Sequence, residues 1–184
     1  MISLLLLFFA IAIVVSFLCS LWEAVLLSIT PAYAQIQLQK DNRLGHRLQT
    51  FKEDIDRPLA AILTLNTIAH TVGAIGVGDQ ARKIWFDAHP LITGLLVPAT
   101  MTLAILVLSE LIPKTLGANH WQSLAPMTAR SLVGLIRLLG PLVWFCQLIT
   151  SKLKKKDVDS AFSRSDFSAM ADIGAQDGIF EQQE

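Results

Sequence analysis

Charged residues are scarce in this sequence, and cysteines are nearly absent. Asp, Glu, Lys and Arg make up 16% of the 184 residues, against about 25% in soluble domains. Because 15 basic and 15 acidic side chains cancel, the chain has no overall basic field of the kind that binds nucleic acid, and we expect no nucleic-acid partner. Its cysteines, Cys19 and Cys146, lie in apolar surroundings without ligand spacing. Neither a disulfide framework nor a zinc site is indicated.

Charge is missing altogether from three apolar stretches. They comprise residues 2–22, 58–78 and 88–109. Each is close to the ~20 residues that a helix needs to cross the hydrocarbon core of a bilayer. We therefore predict an all-α integral membrane protein in contact with lipid. Its three transmembrane helices are expected at about residues 2–28, 58–78 and 88–112.

The segments between and after these spans are typical of the membrane surface. Their mixed charge and scattered apolar residues predict cytoplasmic juxtamembrane amphipathic helices at about residues 32–56 and 114–150. Together with the spans they form a predicted membrane domain of residues 1–155. Residues 156–184 are rich in Asp, Ser and Gln and are expected to be a cytoplasmic tail.

Basic residues near the ends of the spans predict the orientation. The first loop contains five of them, Lys40, Arg43, Arg47, Lys52 and Arg57. The N-terminus has none, and the second loop has only Arg82 and Lys83. Since basic loops stay in the cytoplasm, we predict a multi-pass protein of the inner (plasma) membrane with its N-terminus outside and its C-terminus in the cytoplasm. The short apolar region 131–151, which contains Arg137, is expected in the interface, because a fourth span would put the basic residues after it outside.

Polar side chains recur inside all three spans. They are Ser16, Ser20 and Glu23 in the first, Asn66, Thr67 and His70 in the second, and Ser109 and Glu110 in the third. In the first span the spacings of four and three place all three side chains on one helical face. Polar groups in a span are costly unless they face protein, water or an ion. Their coincidence across three spans therefore predicts a functional site.

Pro113 adds a main-chain oxygen to this set. Proline has no N–H, so the carbonyl of Ser109 loses its usual helical donor. A free carbonyl beside the carboxylate of Glu110 is the hard-oxygen environment that Mg²⁺ or Ca²⁺ prefers, and broken helices are a recurring way to build ion sites in transporters. With the hydroxyls of Ser16 and Ser20 and the amide oxygen of Asn66, there are enough oxygens for a six-coordinate cation.

Each of these residues also has a structural explanation. Serines in spans often bond back to carbonyls of their own helix, and Asn66 suits a hydrogen bond between helices. Glu23 lies near a span end, where it can face headgroup water. Glu110 has Lys114 four residues later for an i,i+4 ion pair. His70 either bonds to a neighbouring helix or carries protons.

Three segments together resemble a known family. They are Ser20-Leu-Trp-Glu23, Leu65-Asn-Thr67 and Glu110-Leu-Ile-Pro-Lys114. In order and separation they are similar to the transmembrane domain of the CorC/CorB and cyclin M (CNNM) proteins, also called DUF21, over about residues 3–155. The resemblance implies three spans with juxtamembrane helices, a homodimer, and transport of Mg²⁺, generally export, with Na⁺ proposed as the coupling ion.

The resemblance also implies roles for single residues. By it the metal ligands fall on Ser16, Ser20, Asn66, the main-chain carbonyl of Ser109, and Glu110. Glu23, Thr67, His70 and Lys114 are assigned to coupling or to support of the ligands. Two positions depart from the family: Ser109 stands where glycine is usual, and His70 stands where many members have a second asparagine. Histidine is a softer and titratable donor that suits Mg²⁺ less well.

Members of the family continue into paired CBS domains that bind adenine nucleotides. Residues 178–184 resemble the segment that leads into the first of these domains. We therefore expect no CBS-type nucleotide binding by residues 1–184 themselves.

Three functions remain open on the sequence. The leading hypothesis is a transporter of Mg²⁺ or a related divalent cation. The alternatives are a non-transporting membrane anchor or regulatory module with a structural ion site, and a proton-coupled carrier that uses His70 and Glu110. We expect no enzymatic activity, because no nucleophile is paired with a base and the His-Glu-x-x-His pattern is missing from the sequence.

Overall fold

The computed structural model describes residues 2–40, 42–85 and 91–153. The predicted tail and the beginning of the predicted third span, residues 88–90, lie outside the described residues. One compact unit ends at Leu148. Of the second unit, which begins at Ile149, the structure describes only residues 149–153, in a helix.

The described chain is almost entirely helical. In chain order the helices are α1 (Ile2–Ser28), α2 (Pro31–Lys40), α3 (Asn42–Glu53), α4 (Asp56–Ile84), α5 (Thr93–Asn119), α6 (Trp121–Leu138) and α7 (Gly140–Leu153). Three of them, α1, α4 and α5, are long and apolar enough to cross a membrane. The predicted all-α membrane fold with three spans is therefore confirmed.

Two of the helices extend beyond the residues predicted for their spans. Helix α4 continues to Ile84 rather than ending near residue 78, and α5 passes through Pro113 to Asn119. The helix continues past this proline although the missing N–H costs it one helical hydrogen bond. The residues just before it, Ile105–Leu111, form a π-helical stretch with a wider turn.

The predicted interfacial region 131–151 falls on the end of α6 and on α7. These two helices meet at 86°, with Gly140 and Pro141 opening the second. By length and composition the pair qualifies as a fourth, broken span. The stripe of α6 that contains Ala125, Ala129 and Leu132 is completely buried against protein. Through this packing α6 forms part of the protein core, at the end of the spans that contacts the juxtamembrane helices.

Small residues allow α4 to pack closely on α1. A Cβ added at Gly73 would collide with Ala12, and one added at Gly76 would lie 2.5 Å from the ring of Phe8. Glycines at a helix contact let two backbones approach, which is the main source of association between helices in lipid. The resulting α1–α4 contact holds the polar residues of the two helices together.

The juxtamembrane helices pack around the end of α1 and the start of α4. Tyr33 of α2 meets the ring of Trp121 edge-on, with 4.9 Å between ring centroids. Its hydroxyl donates to the main-chain oxygen of Gln122 at 3.1 Å. Buried apolar residues of α1, α4 and α6, such as Leu26, Ile62 and Leu132, complete this core. The juxtamembrane helices thus pack against the spans at one end.

Candidate functional site

Two serines of α1, which their spacing placed on one helical face, are buried in the protein. Ser16 and Ser20 are 0% and 1% exposed. The Oγ of Ser16 is 2.7 Å from Nε2 of His70 on α4. This bond between helices joins two of the predicted site residues directly, and it gives the hydroxyl of Ser16 a partner outside its own helix.

Two side-chain oxygens of the predicted site are buried without a partner. They are Oγ of Ser20 on α1 and Oδ1 of Asn66 on α4. Leaving a buried polar atom unsatisfied costs roughly 1–3 kcal/mol, and such atoms are rare in native structures. Of the other unpaired buried groups among the described residues, Trp22 Nε1 carries a hydrogen and cannot ligate a cation, and Thr128 Oγ1 belongs to α6. The two oxygens on α1 and α4 are therefore available to an ion.

Glu110 and His70 line one cleft. The cleft has a volume of about 290 Å³, and its other walls are Thr102, Ile105 and Leu106. Both titratable side chains are half-buried, and Thr102 is exposed. The structure thus brings the carboxylate of α5 to the side of α4 that contacts Ser16. Ser20 and Asn66 do not line this cleft.

The main chain around Ser109 is irregular, because Ser109 lies in the π-helical stretch before Pro113. The N–H of Ile112 bonds to the carbonyl of Val107, five residues back. The next carbonyl in line is that of Leu108 in a π-helical register or that of Ser109 in an α-helical register, and either would need the N–H that Pro113 lacks. One main-chain oxygen next to Glu110 is thus left without its helical donor.

The side chain of Ser109 is not available to bind a cation. Its hydroxyl donates to the carbonyl of Ile105 at 2.8 Å, and the residue is completely buried. Back-bonding, the structural explanation weighed for the serines, therefore applies to Ser109. Only its main-chain oxygen remains available.

Lys114 pairs with Glu23 rather than with Glu110. Its Nζ lies 3.4 Å from Oε1 of Glu23, across the contact between α1 and α5. The i,i+4 pair with Glu110 that sequence spacing allowed is not formed in the structure. Glu110 consequently keeps its carboxylate free of that lysine, and Glu23 has a protein partner instead of facing headgroup water alone.

Thr67 does not line the cleft. It is exposed, and its hydroxyl donates to the carbonyl of Leu63 at 2.8 Å. Thr102 was not identified from the sequence although it lines the cleft. The available signal was its spacing, because Thr102, Leu106 and Glu110 recur every four residues and so share one helical face.

Apart from the ring nitrogens of His70 in the cleft, the candidate ligands are hard oxygens. Among the described residues no three His, Cys, Asp or Glu side chains come together as a metal-binding group. The predicted ligands are instead two hydroxyls, an amide oxygen, a main-chain oxygen and one carboxylate. Mg²⁺ and Ca²⁺ prefer such oxygens, whereas zinc and softer metals prefer sulfur and nitrogen.

Comparisons with known proteins give the family. The chain is 30% identical to a UPF0053 protein of Synechocystis sp. over 168 residues, which cover 91% of this chain and 47% of the relative. It is 28% identical to a UPF0053 protein of Haemophilus influenzae over 132 residues, 71% of this chain and 30% of the relative. The chain thus spans less than half the length of these relatives. The family model described as the cyclin M transmembrane N-terminal domain matches residues 6–184, and this membrane protein belongs to that family.

Proposed function

We propose that this membrane domain transports Mg²⁺ or a related divalent cation, in the direction of export and coupled to Na⁺. In this proposal the cation is the transported substrate, and the chain has no enzymatic activity. Its ligands are Ser16, Ser20, Asn66, a main-chain oxygen beside Glu110, and Glu110 itself. The protein lies in the plasma membrane with its N-terminus outside.

The observation that supports the proposal best is the pair of unpartnered oxygens, Ser20 Oγ and Asn66 Oδ1. They lie on α1 and α4, two helices that pack closely through Gly73. A cation bound by both would offset the cost of burying them. The carboxylate of Glu110 on the adjacent α5 supplies the negative charge that a divalent ion requires.

A second copy of the chain is part of the proposal. The cleft of His70 and Glu110 reaches the surface of the single chain, since Thr102 on its wall is exposed. A carboxylate that faces lipid is costly, and such groups normally face protein or a water-filled cavity. A homodimer that covers the cleft removes this cost and gives two protomers that can move against each other.

The test uses the full-length protein, purified and reconstituted in liposomes. Asn66→Ala is expected to abolish Mg²⁺-dependent thermal stabilisation and Mg²⁺ flux. Thr67→Ala is the matched control, because Thr67 is the next residue on the same helix and bonds only to its own backbone. Equal Mg²⁺ responses in the two variants would refute the proposed ligands.

The proton-coupled carrier is the second candidate. It is supported by the shared cleft of His70 and Glu110 and by the bond from His70 to Ser16. In that case flux persists without Na⁺, follows a pH gradient, and is lost in His70→Asn. Flux that requires Na⁺ and survives His70→Asn excludes this candidate.

The non-transporting anchor makes a different prediction. A purified dimer that binds Mg²⁺ yet moves none under any Na⁺ or pH gradient would favour it over both carriers. Its ion would then serve stability alone.

A further inference from the structure

A second cavity lies at the packed end of the spans, away from the proposed cation site. Its volume is about 400 Å³, within the range of ligand pockets in proteins. Four helices form it. The lining residues are Thr50, Phe51 and Asp54 of α3 with the turn that follows it, Arg57 and Pro58 of α4, Val133, Ile136 and Arg137 of α6, and Gly140 of α7. None of them belongs to the site described above.

The cavity contains two arginines without carboxylate partners. Within the described residues neither Arg57 nor Arg137 makes an ion pair. One carboxylate, Asp54, shares the wall, and its Oδ2 accepts a hydrogen bond from Nε2 of Gln147 at 3.2 Å. Two guanidinium groups and one carboxylate give the lining a net charge of +1, which matches the single negative charge of a phosphodiester.

The position of Arg57 makes an anion more favourable still. It lies in the first turn of α4, where the partial positive charge of the helix end already disfavours a cation. An anion next to Arg57 gains from both the guanidinium and the helix end. Arginine also binds phosphate oxygens in a bidentate manner.

The rest of the lining is apolar and adjoins the membrane. Phe51, Pro58, Val133 and Ile136 form a wall beside the arginines. Arg57 marks the point where charged residues give way to the uncharged part of the second span. A ligand that is both anionic and apolar fits such a wall, and basic pockets between helices at this level of a bilayer are known to hold lipid headgroups.

We propose that this cavity binds the headgroup phosphate of an anionic phospholipid, with Arg57 and Arg137 as its ligands and the apolar wall in contact with the glycerol and upper acyl chain. The bound lipid would join α3, α4, α6 and α7 at the base of the spans. The proposal is independent of the transported ion.

The test measures lipid retained by the full-length protein. The purified protein is mixed with equal amounts of phosphatidylglycerol and phosphatidylcholine, and the bound lipids are counted by native mass spectrometry. The wild type is expected to prefer phosphatidylglycerol. Arg57→Gln with Arg137→Gln is expected to reduce this preference roughly 30-fold, about fivefold for each arginine near a membrane surface. The ratio is read within each variant, so it does not depend on equal yields.

Arg130→Gln is the matched control, since Arg130 is exposed on α6 but does not line the cavity. Its preference is expected to equal that of the wild type. An equal loss in this control would mean that diffuse surface charge attracts the lipid, and it would overturn the proposal. Displacement of the lipid by soluble glycerol 3-phosphate would also overturn it, because the site would then recognise a free phosphate ester.

Discussion

Replacing Ser20 by alanine removes one oxygen and little else. In the ion-free protein this oxygen is buried without a partner, so it contributes a desolvation cost of roughly 1–3 kcal/mol and no bond. Ser20→Ala is therefore expected to raise the free energy of unfolding of the ion-free protein by about 1 kcal/mol. For a domain of this size that is a rise in Tm of roughly 2–4 °C.

The effect is expected to reverse when Mg²⁺ is added. An ion at 100 times its Kd stabilises the folded state by about 2.7 kcal/mol. A tenfold weaker affinity after loss of one ligand lowers that gain by about 1.4 kcal/mol. The variant is thus more stable than the wild type in a chelator and less stable in saturating Mg²⁺.

Ser16→Ala is the comparison for stability without the ion, because Ser16 is equally buried but already bonded to His70. Its removal leaves a ring nitrogen unpaired and is expected to destabilise the ion-free protein. The assay is thermal unfolding of the purified full-length protein across a Mg²⁺ titration. If Ser20→Ala lowers the ion-free Tm as Ser16→Ala does and leaves the Mg²⁺ response unchanged, the inference from the unpaired oxygen is wrong.

Three further predictions concern packing and charge. Gly73→Ala is expected to lower the free energy of unfolding by roughly 1–3 kcal/mol, because the added methyl group forces α1 and α4 apart. Gly78→Ala places its methyl group in open space and is expected to raise that free energy by about 0.5–1 kcal/mol. Equal Tm values for the two variants would contradict the close contact. Lys114→Gln removes a pair with Glu23 in which the two side chains are 47% and 21% exposed. The loss should cost about 1 kcal/mol, and high salt should reduce this difference in denaturant titrations. Burial lowers the pKa of Lys52, so its positive charge opposes folding at neutral pH. Lys52→Met should therefore make the folded protein more stable at neutral pH. The difference in stability from the wild type should shrink as the pH rises through the lowered pKa, because the folded wild type then loses the proton.

The composition and spacing of the residues were sufficient to predict the fold. Uncharged stretches of span length predicted the three long helices, and the spacing of Ser16 and Ser20 predicted that both lie on one helical face. These features depend on one helix at a time. The length of α5 was underestimated because proline was expected to end the span, while the π-helical stretch before Pro113 accommodates it.

The sequence could not predict which side chains bond to each other across two helices. Lys114 has a carboxylate four residues away in the chain, yet it bonds to Glu23 on α1, and only the packing of α1 on α5 decides between them. The bond between Ser16 and His70 has the same origin, since periodicity gives the face of a helix but not the helix that it meets. Thr102 was missed because threonine is common in spans and its cleft requires the fold.

The most direct test of the cation site is anomalous diffraction from crystals of the full-length protein soaked with Mn²⁺. We predict one strong peak for each protomer within coordination distance of Ser20 Oγ, Asn66 Oδ1 and the carboxylate of Glu110. A Mn²⁺ peak elsewhere, with the oxygens of Ser20 and Asn66 still unbound, would contradict the assignment of these residues as its ligands.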